Sequence, residues 1–257
     1  RNTLEMKSKY IEVFFYGLPR GISYTYKSIN LLLDNYKEAK RFSAFVDKKN
    51  FSNPRSGELN ESIDFEMAKE LLSVDKQLLI NHELEEITKS YEYIVKFGDS
   101  FGDDGRSLRN LIEQLSTLKS CASQFMSNDA YAYIFVRPDV LFNTPISIED
   151  FDEYSLYLPN WQSFGGCNDR FAITKNYNAA LAYASRLDDA INFCDVNEEP
   201  LHSERLVDFT LRKHRIKTVG IPITFSRVRN NGKVVKEKFK NNLWKVRIRH
   251  RVKKTFG

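Results

Sequence analysis

The chain has 257 residues and a mass of 30.0 kDa, enough to bury one large core or two small ones. Its 42% hydrophobic and 28% charged content is that of a globular protein and excludes intrinsic disorder and fibrous repeats. The net charge of +5 is unevenly placed: from Arg227 onward twelve Lys or Arg face a single acid, Glu237, so this segment is +11 and the 226 residues before it are −6.

Uninterrupted apolar stretches such as Val13 to Tyr16 run to a few residues, against the roughly 18 that a membrane-spanning helix requires. Three scattered cysteines, Cys121, Cys167 and Cys194, are too few for a disulfide framework or a structural zinc site and point to a reducing, cytoplasmic setting. Met6 is expected to be the native start, with Arg1 to Glu5 as added residues. The apolar run after it is too short for a signal peptide and is interrupted by Glu12.

Residues 10–16, rich in β-branched and aromatic side chains, predict a strand that stops at the loop Gly17-Leu18-Pro19-Arg20-Gly21. Ile29, Leu32, Leu33 and Tyr36 have helical spacing within residues 26–40, and residues 42–47 suggest a second strand parallel to the first. Residues 48–59 are polar, with Pro54 and Gly57, and read as a loop; 63–72 and 78–87 read as short helices and 91–97 as a third strand. The clearest helix is 107–126, where Leu108, Leu111, Ile112, Leu115, Leu118, Ala122 and Phe125 form one stripe and Ser107 is placed to cap.

Residues 131–136 are almost wholly apolar, as a strand buried on both faces requires, and end in Arg137-Pro138-Asp139. Beyond them the pattern gives strands at 156–158 and 171–174, helices at 178–193 and 203–214, and a last strand at 218–225. Strands alternating with helices, without an evident linker, predict one α/β domain over residues 6–226 with a mostly parallel sheet, followed by a basic segment over 227–257.

Open α/β sheets bind ligands beyond the carboxyl ends of their strands, so the loops that follow strands hold the candidate chemistry. Tyr16 and Gly17 lead into a loop whose Arg20 suits bidentate contact with phosphate. Arg106, Arg109 and Asn110 stand where the long helix begins, and a helix N-terminus with free amides is a phosphate site. Asp139, at the end of the most apolar strand, is positioned to take a hard divalent cation.

The glycine and arginine loop after the first strand, the Asp104-Gly105 helix start with Arg109-Asn110, and the apolar strand ending in an acidic motif resemble glycosyltransferases of the GT-A fold, a Rossmann-related α/β architecture. In that fold the acidic motif is usually Asp-x-Asp and binds a metal and the donor diphosphate. Here Arg137-Pro138-Asp139 occupies its place, which leaves Asp139 as the matched ligand and Arg137 able to neutralise diphosphate instead of a cation. The order of Gly17-Leu18-Pro19-Arg20, Arg137-Pro138-Asp139 and Asn168-Asp169-Arg170-Phe171-Ala172-Ile173, then His202-Ser203-Glu204, further resembles bacterial and viral surface-polysaccharide glycosyltransferase-like proteins over about residues 10 to 229.

The resemblance implies a nucleotide-diphosphate sugar as donor, a glycan or lipid-linked hydroxyl as acceptor, and Mn2+ or Mg2+ as cofactor. Arg137, with Arg20, Arg106, Arg109 and Asn110, then serves the donor, and Asp139, with His202 as a second ligand, the metal. Asp169 and Glu204 are the two candidates for the base that deprotonates the acceptor. Trp161 and Asn168 are candidate sugar contacts, and Gly165-Gly166 a flexible approach to the acceptor pocket. Replacing Asp139 with Asn is expected to abolish transfer and leave the fold intact.

Residues 233–254 interleave Phe239, Leu243, Trp244, Val246 and Ile248 with cations, a pattern suited to lying on anionic lipid or to packing against the body. Two rivals remain at this level. Gly17 to Thr25 faintly resembles the phosphate loop of sulfotransferases that bind an adenosine 3′,5′-bisphosphate donor, and the basic tail suits nucleic-acid phosphates. Confinement of the cations to the chain's end argues against nucleic acid as a partner.

Overall fold

The computed structural model describes residues 10–33, 36, 38–144, 146–149 and 151–239. The expected start at Met6 and the Leu243, Trp244, Val246 and Ile248 of the basic segment lie outside the described residues.

The chain opens with β1 (Ile11–Gly17), α1 (Ile22–Leu33) and β2 (Ala39–Val46), a β-α-β start in which β2 runs parallel to β1 as predicted. Helix α1 begins and ends earlier than the spacing suggested, because the positive φ of Gly21 (66°) turns the chain directly into it. Ile29, Leu32 and Leu33 still face the core. Residues expected to form a loop instead pair as a hairpin, β3 (Asn50–Asn53) with β4 (Glu58–Ser62), closed by Gly57 at φ 75°.

Then follow α2 (Phe65–Leu71), β5 (Lys76–Ile80), α3 (Glu85–Ile94) and α4 (Arg106–Phe125). Here the expected helix at 78–87 and strand at 91–97 are overturned: the first begins inside a strand and the second lies in a helix and its closing 3-10 turn. Helix α4 agrees with its stripe, but its N-cap is Gly105 and not Ser107.

The second half contains β6 (Ala132–Val136), β7 (Val140–Phe142), β8 (Ser155–Pro159), β9 (Phe171–Thr174), α5 (Tyr177–Ala184), α6 (Ala190–Asn197), α7 (Ser203–Lys213), β10 (Lys217–Ile221) and β11 (Phe225–Arg227). The single helix expected over 178–193 is broken by a 3-10 turn at Arg186–Asp189, and the last expected strand divides into β10 and β11, which join different sheets.

Seven strands form the central sheet in the order β10-β8-β9-β6-β1-β2-β5, flanked by helices in one α/β domain. All neighbours are parallel except β9, which runs antiparallel to both β6 and β8. Side chains alternate across β1: Val13 and Phe15 pack with Ile29 and Leu33 of α1, while Phe14 and Tyr16 pack on the other face with Leu118 and Cys121 of α4. Both faces are covered, which is why β1 and β6 read as nearly continuous apolar runs.

This topology fixes the site. Parallel β1, β2 and β6 release their following loops at one edge of the sheet, and antiparallel β9 receives its preceding loop at the same edge, with Phe171 opposite Val136. Loops 17–21, 137–139 and 168–170 therefore meet although they are far apart in sequence.

Candidate active site

A cavity of about 970 Å³ opens at this edge. Gly17 (φ 95°) turns the chain out of β1, and a Cβ there would stand 3.2 Å from Cγ of Gln114. At Gly21 a Cβ would come within 2.8 Å of the Val228 carbonyl oxygen, so only glycine lets residues 228–230 lie across the loop. Three of the loop's four amides are spent internally: Gly17 N donates to Thr117 Oγ1, Arg20 N to Leu18 O and Gly21 N to Asn230 Oδ1. That is the reverse of a phosphate loop, whose amides face the ligand, and it weighs against the sulfotransferase reading. The loop's charged group at the cavity is the Arg20 side chain, beside Gly17 and Leu18.

Arg137 and Asp139 form a closed fork at the end of β6. Arg137 donates Nε to Asp139 Oδ1 (3.0 Å) and Nη2 to Oδ2 (2.8 Å), and Arg20 adds Nε and Nη2 contacts to Oδ2 at 3.3 and 3.1 Å. Burial alone would raise the Asp139 carboxyl, but the charges of Arg137 and Arg20 outweigh it and hold it well below the usual range. Both oxygens are thus engaged by guanidinium groups. Among the described residues no three His, Cys, Asp or Glu side chains converge as a ligand set, and the Asp139 oxygens face guanidinium N–H groups where a divalent cation would need free carboxylate lone pairs.

Asp169 and Glu204 stand together behind this fork. The Asp169 carbonyl accepts from Tyr16 and Tyr183 hydroxyls, each at 2.9 Å, and its carboxylate accepts from Ser203 Oγ. Tyr16 is accordingly a strut for Asp169. Burial opposes ionisation of Asp169, yet Arg170 and Arg137 prevail and lower its pKa. Glu204 goes the other way: burial and then the neighbouring Asp169 charge raise it to about 8, against the pull of Arg170, whose Nη2 lies 3.5 Å away.

Of the glycines before Asp169, Gly166 is closely packed against the start of α7 and is no flexible approach. A Cβ there would overlap the Glu204 carbonyl and come within 2.7 Å of Arg205 Cα, while Cys167 N donates to Glu204 O at 2.8 Å. His202, expected as a metal ligand, has Nδ1 3.3 Å from Glu204 Oε2 but outside hydrogen-bond geometry. Burial and the Arg205 cation lower its pKa, so it is neutral at pH 7.

Two expected sugar contacts are corrected. Trp161 is 1% exposed, donates its indole N–H to Ile223 O at 2.7 Å and packs on Phe225 and Phe239; it belongs to the core and does not line the cavity. Asn168 is fully buried, donating Nδ2 to Trp161 O and accepting Arg170 N, and so holds the turn before Asp169.

The start of α4 lines the opposite wall, but its amides are not all free. Asp103 accepts from Ser107 N and Oγ, and Asp99 accepts from the amides of Phe101, Asp103 and Gly105. The acidic loop thus fills the place predicted for a phosphate. Arg109 is tied to His82 O (2.9 Å) and Glu113 (3.4 Å), whereas Arg106 and Asn110, one turn apart, are exposed toward the cavity.

Arg227 and Arg229 were missed as site residues. Both line the cavity, from a strap in which Val228 N donates to Asp139 O and Val235 N to Arg227 O, each at 2.8 Å. In the sequence they were absorbed into the charge of the basic tail; the signal available was the strand-like run ending at Phe225, which places the next residues at the sheet's edge.

No protein-family model matches the chain, and no curated protein matches it. Among solved structures it is similar to mouse xyloside xylosyltransferase 1 in its apo form, with 13% identity, a TM-score of 0.42, and coverage of 83% of this chain and 85% of that one. No helix among the described residues is long and apolar enough to cross a membrane.

Proposed function

We propose that the chain is a glycosyltransferase that moves a sugar from a nucleotide-diphosphate sugar to a hydroxyl of a glycan or lipid-linked acceptor. The observation that carries this reading is the pairing, in one cavity, of an arginine wall suited to a leaving diphosphate with a buried carboxyl, Glu204, whose raised pKa makes it a proton acceptor near neutral pH. The acceptor oxygen bonds to the anomeric carbon, the bond from that carbon to the diphosphate oxygen breaks, and its electron pair leaves with the diphosphate. The acceptor's proton passes to Glu204.

Of the two candidate bases Glu204 is preferred, because the arginines that lower the Asp169 pKa also weaken it as a base. Asp169, held by Tyr16, Tyr183 and Ser203, instead orients a sugar hydroxyl and keeps Glu204 basic. Arg106 and Asn110 face the nucleotide from the other wall.

The test is release of the leaving nucleotide (UDP, GDP or CMP) from a panel of UDP-, GDP- and CMP-linked sugars, with glycan and lipid-linked acceptors; a diphosphate donor is the one expected to turn over. One donor class is expected to turn over in the wild type and to fall at least 100-fold in Glu204→Gln. No turnover and no stabilisation by any nucleotide would remove the proposal.

A further inference from the structure

Four guanidinium groups crowd one wall of the cavity, and their carboxylate partners lie mostly behind them. Arg20, Arg137, Arg227 and Arg229 line the cavity with Asp139, whereas Glu58 and Glu237 do not. Glu58 is fully buried, and its Oε2 faces Arg20 Nη1 at 3.2 Å and Arg229 Nη1 at 3.8 Å while also accepting from Ser56 Oγ. Glu237 Oε1 accepts from Arg227 Nε at 2.7 Å and its Oε2 from Gln162. Four cations against three carboxylates leave this wall one positive charge in excess, turned toward the cavity.

Arg229 is the least satisfied of the four. Among the described residues its one ion pair is the 3.8 Å contact with a carboxylate already committed to Arg20. Burial and the adjacent Arg20 and Arg227 cations pull its pKa down to about 10, a strain that an arriving anion relieves.

The strap is anchored so that these groups are held in place. Asn230 accepts from Gly21 N, and donates its own N to Glu58 Oε1 and its Nδ2 to Glu61 Oε2, joining the β1 loop, the β3–β4 hairpin and the strap. Val228 N reaches the Asp139 carbonyl at 2.8 Å.

We infer that Arg20, Arg227 and Arg229 form a diphosphate site that works without a divalent cation, with the strap of residues 227–239 supplying two of its three cations. The choice of a diphosphate as ligand rests on the donor reading above. Several planar forks converging on one space match an anion with two linked phosphates, whose oxygens outnumber those of orthophosphate. Arg137, which neutralises Asp139, keeps that carboxylate from repelling the ligand.

The probe is inorganic pyrophosphate, titrated calorimetrically into the full chain in EDTA and then with Mn2+. Pyrophosphate is expected to bind in EDTA, at least 10-fold more tightly than orthophosphate, and Arg229→Ala and Arg227→Ala are each expected to weaken it 10-fold or more. Arg229→Lys, which keeps the charge but not the fork, should recover part of the loss. Its melting temperature and that of Arg229→Ala show whether the strap still folds.

Binding that appears only with Mn2+, equal affinity for orthophosphate, or unchanged affinity in folded Arg229→Ala would each overturn the inference. Nucleotide sugars that turn over only with metal would sink it and leave the transferase standing. Arginine-dependent pyrophosphate binding without binding or turnover of any nucleotide sugar would do the opposite.

Discussion

The main chain of Glu204 crosses Gly166 so closely that there is no room between them for a single methyl group. Cys167 N donates to the Glu204 carbonyl immediately beside this crossing, so the loop leading to Asp169 and the start of α7 are fastened together. The two carboxyls of the site owe their proximity to this contact. They come from different elements, and the crossing keeps Glu204 where burial and the Asp169 charge raise its pKa, while Arg170 and Arg137 lower that of Asp169.

Gly166→Ala is therefore expected to act at a distance from its own position. The nearest atoms are backbone and cannot swing aside, so the substitution costs at least the roughly 1–3 kcal/mol of an overpacked site. Turnover should fall more than 10-fold even where the protein stays folded, because Glu204 is displaced from Asp169. Urea titration and turnover measured on the same sample check both; wild-type activity in a destabilised protein would show that the crossing is structural alone.

Glu204 also sets a pH dependence whose sign is fixed by its environment. Between the ordinary carboxyl value of 4.5 and about 8, the folded chain keeps a proton that the unfolded chain has lost. Unfolding releases that proton, so stability falls as pH rises through this window and levels off above it. Glu12, raised to about 7 chiefly by burial, adds to the same slope. Melting temperatures taken from pH 5 to 9 should decline in the wild type and decline less in Glu204→Gln. Turnover should run the opposite way, rising with pH toward about 8 as the base ionises; a profile already flat at pH 6 would contradict the role given to Glu204.

Asp139→Asn will not leave the fold untouched, contrary to the expectation from sequence. Removing the carboxylate charge takes from Arg137 its ion pair and leaves Arg20 with Glu58 alone, and breaking a buried pair costs about 3–5 kcal/mol, toward the lower end here because both arginines keep 15% of their side-chain surface. The Asp139 pKa is depressed, so its stabilisation is present above the ordinary 3.8 and is lost as pH falls through the lower folded value. The gap in melting temperature between wild type and variant should be several degrees at pH 7 and should shrink progressively below pH 3.8.

The sheet's centre was legible because it is buried on both faces: continuous apolar runs at β1 and β6 admit few other readings. Residues 78–80 were misread because a short apolar run carries no period of its own, and only pairing with β2 makes it a strand. Residues 91–97 carried the opposite trap. Their aromatic and β-branched content suggested a strand, while Ile87, Tyr91, Ile94 and Val95 already stood at helical spacing against α4. In the site, Arg20, Arg137, Asp139 and Asp169 were legible as polar residues following or preceding strands, and Glu204 as an acid at the start of a helix. Arg227 and Arg229 were not, because their place depends on a strap folding back over Gly21, a contact between residues about two hundred positions apart.

Trp161 gives the sharpest contrast between the two levels of reading. From sequence it was a platform for a sugar ring; in the fold its indole is enclosed by Phe225 and Phe239, with ring centroids at 4.9 and 4.8 Å, and its N–H is bonded to Ile223 O. Trp161→Phe removes that donor and part of the ring, leaving the Ile223 carbonyl without its partner and a small void. A loss of about 1–3 kcal/mol is expected in urea unfolding. Acceptor KM should be unchanged within about twofold, since the ring does not border the cavity. A platform residue would behave in the reverse manner, with KM rising several-fold and stability intact, so the two measurements on one variant separate a core tryptophan from a ligand-stacking one.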